Sequence, residues 1–483
     1  MVQPTGGLVR PDVSEADATA IASDHYGVDV VARELGSNQD RNFVLEAADG
    51  SRTVLRVDHP VFAESAREAQ HLALDAYRAA GVAVPAVLPG LDGDLVQRWG
   101  EFAVRRSEFV AGESLVDCGY LAPVVIREFG ALAAASVNAL GGLAHEGLER
   151  AHMWDMRVAH EETLGLAAAI TDAPLRERVL AAAAEAQAAL DVVAGELAVQ
   201  AIHGDLTDDN VVGVRGDDSR IHPGTVLDLG DLSYGWRIAE LAVTLSSLLH
   251  HDAARPVRVL EAVGSFNETA PISQPEARAI WPLVVLRAAL LVASGWRQLQ
   301  IDGDNDYARE RIAGEQAIFD AATRYPLTEM TEQVLAALGF IGIADAEGGL
   351  RLQAAVAVAP PTSTGPKPPL RALLPDLAGE VVVLDPGVEA DALDAGKWLA
   401  AEAEQDLVDD AFVTGAAAAV FPYGVYRLTR AAIDDIDGAA TWPIGTEAWV
   451  APGVAATVAT PVAGTVVAAT TRGLLIDTGD GWF

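Results

Sequence analysis

Hydrophobic and polar positions change period several times along the chain, and each change marks an element. Residues Ala16 to His25 read as a short helix. The next stretch, RELGSNQDRNFVLEAADGSRTVLRVDH, alternates as strands joined by turns, with Asp49-Gly50 forming a hairpin turn between NFVLEAA and RTVLRV. From Ala63 to Ala80 the apolar spacing becomes helical, and VAVPAVLPG then leads into two more strands, DLVQRWG and EFAVRRSEFV. From Ser114 to about Tyr325 the pattern is mainly helical, in long Ala- and Leu-rich segments such as VIREFGALAAASVNAL and LRERVLAAAAEAQAALDVVAGEL. One β-like insertion, NVVGVRGDDSRIHPGTVLDLGD, interrupts those helices.

Beyond the helices, AVAPPTSTGPKPPL is dense in Pro and small polar residues and reads as an extended linker. The remainder, with TEAWVAP, ATVATPVAGTVVAAT and GLLIDTGDGWF separated by Gly and Pro, is strand-rich. The expected organisation is α+β: a β-rich N-lobe over 1–110, a helical C-lobe over 111–345, a linker over 346–372 and a small all-β domain over 373–483. A length of 483 residues already calls for two or three folding units.

Composition narrows the partners. With 51% hydrophobic and 21% charged residues the chain has ample material for a core. A net charge of -36 repels phosphate backbones and anionic headgroups, so neither nucleic acid nor a membrane surface is an expected partner. Such acidity serves solubility in the plainer reading and a cationic substrate in the sharper one. Cys118 is the sole cysteine, which excludes an intrachain disulfide and a cysteine-based metal cluster. The N-terminus lacks a basic start followed by an apolar run. The apolar run IWPLVVLRAALLVASGW is short for a membrane span and carries Arg287 in its middle, so it reads as a buried helix. A cytoplasmic location is expected.

Candidate chemistry sits in the interruption. IHGDLTDDNVV places Asp205 and Asn210 at a D-x4-N spacing, and VLDLGD follows with Asp228 and Asp231. Phosphoryl transfer needs a carboxylate to orient a hydroxyl and take its proton, and oxygen ligands for a magnesium ion on the nucleotide phosphates. These side chains supply both. A lone Asp205 would read as a cap or turn carboxylate; two linked motifs at this separation favour the chemical reading.

The chain here resembles the aminoglycoside phosphotransferase-like kinase superfamily, whose catalytic segment reads H-G-D-x4-N and whose metal segment reads D-x-G-D. The resemblance runs from roughly Ala16 to Tyr325 and is nearest to hydroxylysine kinase-like proteins, through SNQDRNF, AGVAVPAVLP, HGDLTDDN, DLGDLSYGWRIAELA and the late helix followed by GDNDY. It implies a bilobal protein-kinase-like fold with Asp205 as base, Asn210 and Asp228 as Mg2+ ligands, His203 as a buried orienting residue and Asp231 supporting the metal loop. ATP or GTP would be the donor. The turn from Gly36 to Asn42, with Ser37, Asn38 and Asn42, would cover the phosphates, and backbone groups from Glu108 to Val110 would meet the base.

Where the family carries a phosphate-binding Lys this chain reads VLRV, with Arg56, which keeps the charge but changes length and fork geometry. Glu64 and Glu68 lie one turn apart on the next helix; Glu68 is the expected partner of Arg56, a solvated helix face being the alternative. Trp154, Asp155, Tyr234 and Trp236 are candidates for an acidic, aromatic-walled pocket for an amine, against a core role for each, and so is Glu240, against a buried helix anchor; Asp208 and Asp209 read as solvated loop residues or substrate-cation contacts ahead of metal ligands. Arg287 reads as a structural ion-pair partner unless the substrate carries a carboxylate. The expected acceptor is a small amino-bearing alcohol, hydroxylysine-like ahead of aminoglycosides or choline. The alternative is a pseudokinase or nucleotide-binding scaffold whose β-domain mediates interaction.

The C-terminal FPYGVYRLTR and GTEAWVAPGVAATVATPVAGTVVAA resemble the small β-domain of lysostaphin-type zinc peptidases. Those enzymes hold zinc through H-x3-D and H-x-H, whereas the last histidine here is His251, so no zinc hydrolase activity is expected.

Overall fold

The computed structural model describes residues 10–36, 40–118, 121–150, 152–216, 220–253, 256–301 and 306–340, and six short strands between 381 and 477. The linker over 346–372 and most of 373–483 lie outside the described residues.

The chain opens on α1 (Glu15–Tyr26), started by a capping box in which Ser14 and Asp17 satisfy each other's backbone N–H and ended by Gly27 in the left-handed region at φ +64°. Strands β1 (Val30–Leu35), β2 (Arg41–Ala47) and β3 (Arg52–Asp58) follow, then α2 (Glu64–Ala79), β4 (Val87–Leu88), β5 (Gln97–Trp99) and β6 (Phe102–Glu108). They form one antiparallel sheet in the order β1-β2-β3-β6-β4, with β5 also paired to β6. The β2–β3 hairpin turns at the expected Asp49-Gly50, where Gly50 has φ +83° and the Asp49 carboxylate accepts from Ser51 N–H at 2.9 Å. Phe43, Leu45, Leu55, Val57 and Val104 bury one face of this sheet under α1. Strand alternation therefore turns Asn42, Arg56, Asp58 and Arg105 to the other face.

A short β7 (Glu113–Ser114) leads into the helical lobe: α3 (Pro123–Leu140), α4 (Ala159–Leu166) and α5 (Ala173–Asp191). Four strands then carry the candidate chemistry, β8 (Val199–Ile202), β9 (Val211–Arg215), β10 (Ile221–Val226) and β11 (Ser233–Trp236). Strand β9 pairs with β10 and β7, and β8 pairs with β11. Helices α6 (Arg237–Leu248), α7 (Leu260–Thr269), α8 (Gln274–Ile301), α9 (Asp306–Ala322) and α10 (Leu327–Ala337) complete the lobe. Helix α8 is the one described helix long and apolar enough to cross a membrane, and 78% of its most apolar stretch is buried inside the protein. It is the core helix of the lobe, with Trp281, Leu283, Leu286 and Leu290 fully buried. The whole is a kinase-like α+β fold, a β-rich sheet followed by a helical body.

Further along, β12 (Val381–Val383), β13 (Ala418–Phe421) and β14 (Gly424–Leu428) form one antiparallel sheet. A second contains β15 (Ala440–Thr441), β16 (Thr465–Thr470) and β17 (Gly473–Asp477). Strand β14 and the last residue of β13 fall in the FPYGVYRLTR stretch.

Candidate active site

Strand β8 delivers its chain end to a tight turn at His203-Gly204-Asp205. Gly204 has φ +80°, and a Cβ there would lie 3.0 Å from the Asp231 carbonyl, so glycine is required by conformation and by space. The buried Glu240 carboxylate of α6 accepts the Gly204 N–H at 2.9 Å and the Ser136 hydroxyl at 2.7 Å, and Ser136 also bonds Tyr77 Oη at 2.8 Å. This chain ties α2, α3 and α6 to the residue before Asp205. Burial raises the Glu240 pKa. Of its two readings, pocket wall or buried helix anchor, the structure shows the second, since Glu240 is fully buried.

His203 is fully buried; its Nε2 is 2.8 Å from the Leu227 carbonyl, and its Nδ1 accepts the Asp205 N–H at 3.2 Å. The ring thus links the two motifs. Asn210 Nδ2 donates to Asp205 Oδ2 at 2.7 Å and to the Asp205 carbonyl at 2.9 Å. The other carboxylate oxygen, Oδ1, is bound by Arg287 Nη2 from α8. The guanidinium carbon of Arg287 lies 4.3 Å from the centre of the Trp154 ring.

Asp228 follows β10 and is the one described non-glycine residue with positive φ, at 43°. Its Oδ1 accepts from Gly230 N–H at 2.9 Å and from Arg56 Nη1 at 2.8 Å. Burial works against ionisation of Asp228, but Arg56 and the Gly230 N–H outweigh it and bring the carboxyl down to about 2. Its side chain keeps 44% exposure, so the carboxylate still faces the cleft. Asp231 sits 3.7 Å from His152 Nδ1, and burial with the charge of Asp205 pushes its pKa up. Arg150 Nη1 donates to the Gly230 carbonyl at 2.6 Å and so holds the same loop.

Arg56 meets partners the sequence did not indicate. Its Nε donates to the buried Asp40 at 2.8 Å and lies 3.4 Å from Asp58. Burial would lower its pKa, but Asp228, Asp40 and Asp58 together hold it well above the ordinary arginine range. Asp40 in turn accepts the His59 N–H at 2.7 Å. Arg105, directly across from Arg56 in the β3–β6 register, is neutralised by Asp58 at 2.7 Å and accepted by Gln70 of α2 at 2.8 Å.

The expected Arg56–Glu68 pair is therefore corrected. Glu68 lies 3.6 Å from His145 and Glu64 3.5 Å from Arg98, because the face α2 turns to the sheet carries Arg67 and Gln70. Of the three partners, only Asp58 had a sequence signal, the charge alternation R-x-D on β3 that puts Arg56 and Asp58 on one face.

Of the other nucleotide-side residues, Ser37 and Asn38 lie outside the described residues. Asn42 stands across from Arg56 in register and has a buried Oδ1 with no partner among the described residues. Glu108 fixes the inter-lobe strand to the preceding segment, accepting the Ala86 N–H at 3.0 Å and donating its own N–H to the Ala86 carbonyl at 2.9 Å. Val110 is half-buried just beyond.

The substrate-side candidates divide. Trp154 and Tyr234 are half-buried, Trp154 against Arg287 and thus beside Asp205. Asp209 is exposed. Asp155 is corrected to a structural role, since it is buried and bound by Arg157 at 2.6 Å. Trp236 belongs to the hydrophobic core, also a correction. Asp208 is likewise buried; His250 Nε2 and His251 Nε2 each lie 2.7 Å from its Oδ2. Burial opposes the charge on Asp208, but the two imidazoles bring its carboxyl down to about 2. It pins the loop after Asp205 to the segment just beyond α6, and its burial corrects its reading as a substrate contact.

Asp205, held between the Asn210 amide and the Arg287 guanidinium, and Asp228, on a strained turn, thus stand in two linked segments of a kinase-like fold. Residues 31–272, half of the chain, match the model of the APH phosphotransferase enzyme family, and the chain belongs to that family. Hydroxylysine kinase of Danio rerio is 23% identical over 322 residues, covering 62% of this chain and 88% of that protein. Among solved structures, an amicoumacin kinase in complex with AMP-PNP, Ca2+ and Ami aligns at TM-score 0.50 and 13% identity over 65% of this chain and 95% of its own. A microcompartment-associated aminopropanol kinase aligns at TM-score 0.50 and 17% identity, over 68% and 99%. These two likenesses bear on the fold.

Proposed function

We propose that the protein is a cytoplasmic, Mg2+-dependent kinase that transfers the γ-phosphate of ATP or GTP to the hydroxyl of a small amino-bearing alcohol, hydroxylysine-like ahead of aminoglycosides or choline. The observation that carries this reading is that His203 bridges the Asp205 N–H and the Leu227 carbonyl, the residue before Asp228, while Asn210 and Arg287 hold the Asp205 carboxylate. The similarity to hydroxylysine kinase supports the acceptor class.

Asp205 orients the acceptor hydroxyl and takes its proton as the acceptor oxygen bonds to the γ-phosphorus. The bond from that phosphorus to the β–γ bridging oxygen breaks, and the nucleoside diphosphate leaves with the electron pair. Asn210 and Asp228 fit a magnesium ion: with Nδ2 committed to Asp205 the amide offers its oxygen, and Asp228 keeps Oδ2 clear of the two donors on its Oδ1. Both are hard oxygen donors of the kind magnesium takes. Bound there, the ion supplies neutralisation of charge on the phosphate oxygens. Arg56 and Asn42 are the described residues read as meeting the phosphates, and the Glu108–Val110 segment as meeting the base.

The C-terminal strands are read as a lysostaphin-type β-domain without metal ligands, supported by FPYGVYRLTR and the absence of histidine after His251. Mass spectrometry of amino alcohols incubated with protein, Mg2+ and ATP or GTP tests the kinase reading. A phosphorylated amino alcohol is the expected product; nucleotide binding without any phosphorylated acceptor would favour the scaffold alternative.

A further inference from the structure

The contact between α8 and Asp205 carries more than a structural ion pair. Arg287 is 4% exposed, and only its Nη2 meets a protein acceptor, Asp205 Oδ1. Its Nε and Nη1 are buried with no partner among the described residues. Buried donors without acceptors are rare in a folded protein, and on a guanidinium the deficit is that of a charged group. The Trp154 ring covers one face of the guanidinium, 4.3 Å from the ring centre, so the edge carrying Nε and Nη1 is the side on which an acceptor would pair with it.

The chemistry of that edge is restrictive. A guanidinium offers donors only, so it repels an ammonium and gains little from an alkyl group; it calls for a planar, anionic oxygen acceptor. The position is equally restrictive, since the same guanidinium touches the carboxylate that would take the acceptor's proton. We infer that the acceptor carries a carboxylate a few bonds from its reacting hydroxyl, and that Arg287, clamped by Trp154, binds it. The acceptor class thereby narrows from amino alcohols to hydroxy-amino acids. This rests on the kinase reading above, and Arg287 adds to it a role in choosing the substrate: its charge draws the carboxylate in and offsets repulsion from Asp205.

Binding and turnover separate the two claims. Calorimetry in the presence of Mg2+ and AMP-PNP would compare 5-hydroxylysine, homoserine and serine, each with its decarboxylated counterpart. At least one hydroxy-amino acid is expected to bind wild type tenfold or more tightly than its counterpart. Arg287→Met should erase that gap while AMP-PNP affinity and the circular dichroism spectrum stay unchanged, and Arg287→Lys should restore part of it. Trp154→Leu, which leaves Asp205 untouched, should narrow it.

Equal affinity within every pair, a gap that survives in Arg287→Met, or no binding of any hydroxy-amino acid would overturn the inference. Turnover of a decarboxylated acceptor at the rate of its parent would also overturn it and leave the kinase reading standing. Conversely, Arg287-dependent binding of a hydroxy-amino acid that is never phosphorylated would sustain the inference and remove the kinase reading.

Discussion

Arg56 decides the charge balance of the cleft, because three carboxylates converge on one guanidinium. Removing it would leave Asp40, 2% exposed, as an uncompensated buried charge. Loss of one partner of a buried pair costs ~3–5 kcal/mol, so Arg56→Met should lower the urea unfolding free energy by about that much. Arg56→Lys, which keeps the charge but not the fork, should lose less than half of it. His152 offers a second handle. It is 1% exposed beside Arg150, and burial followed by that charge pushes its pKa down to about 3 from the usual 6.5. The unfolded chain thus binds a proton between these values that the folded chain refuses. Stability from this residue is complete above pH 6.5 and drains as pH falls toward 3, by ~1.4 kcal/mol per unit. In His152→Gln the unfolding free energy should fall less steeply over that window.

At the scale of elements, the turn after β8 is where backbone and chemistry coincide. Gly204→Ala would place a Cβ in the left-handed region against the Asp231 carbonyl, at ~1–2 kcal/mol in conformation alone. Turnover should fall further than stability, since the same turn aims Asp205; paired denaturation and rate measurements would show whether it does. The legibility of the sequence follows the same division. Asp49-Gly50 and the D-x4-N spacing were readable because a turn and a short loop are decided by neighbours in sequence. The phase of α2 against the sheet is decided by packing, which turns Gln70 inward and leaves Glu68 away from Arg56. Asp208 read as a candidate contact because the imidazoles that bury it are 42 and 43 residues away. The partner of Arg56 across the cleft is 172 residues on, beyond any local rule.

For the whole molecule, the β-rich lobe followed by a helical lobe was legible from the change of hydrophobic period, since period reports secondary structure directly. The way α8 brings Arg287 to Asp205 was not, because a helix buried all round has no polar face to mark its orientation. A net charge of -36 on this fold stores repulsion that salt screens. The melting temperature should therefore rise between 0.05 and 0.5 M sodium chloride, concentrations that shorten the Debye length from roughly 14 to 4 Å. A flat or falling melting temperature would mean that the surface charges are already paired.

The central claim, that Asp205 accepts the proton of an alcohol during phosphoryl transfer, is tested most directly by acceptor-dependent release of nucleoside diphosphate in wild type and Asp205→Asn. The account predicts release that requires an amino-bearing alcohol and falls by ~10²–10⁴-fold in the variant, the range of general-base contributions. A loss of less than about tenfold, ~1.4 kcal/mol of barrier, would contradict it.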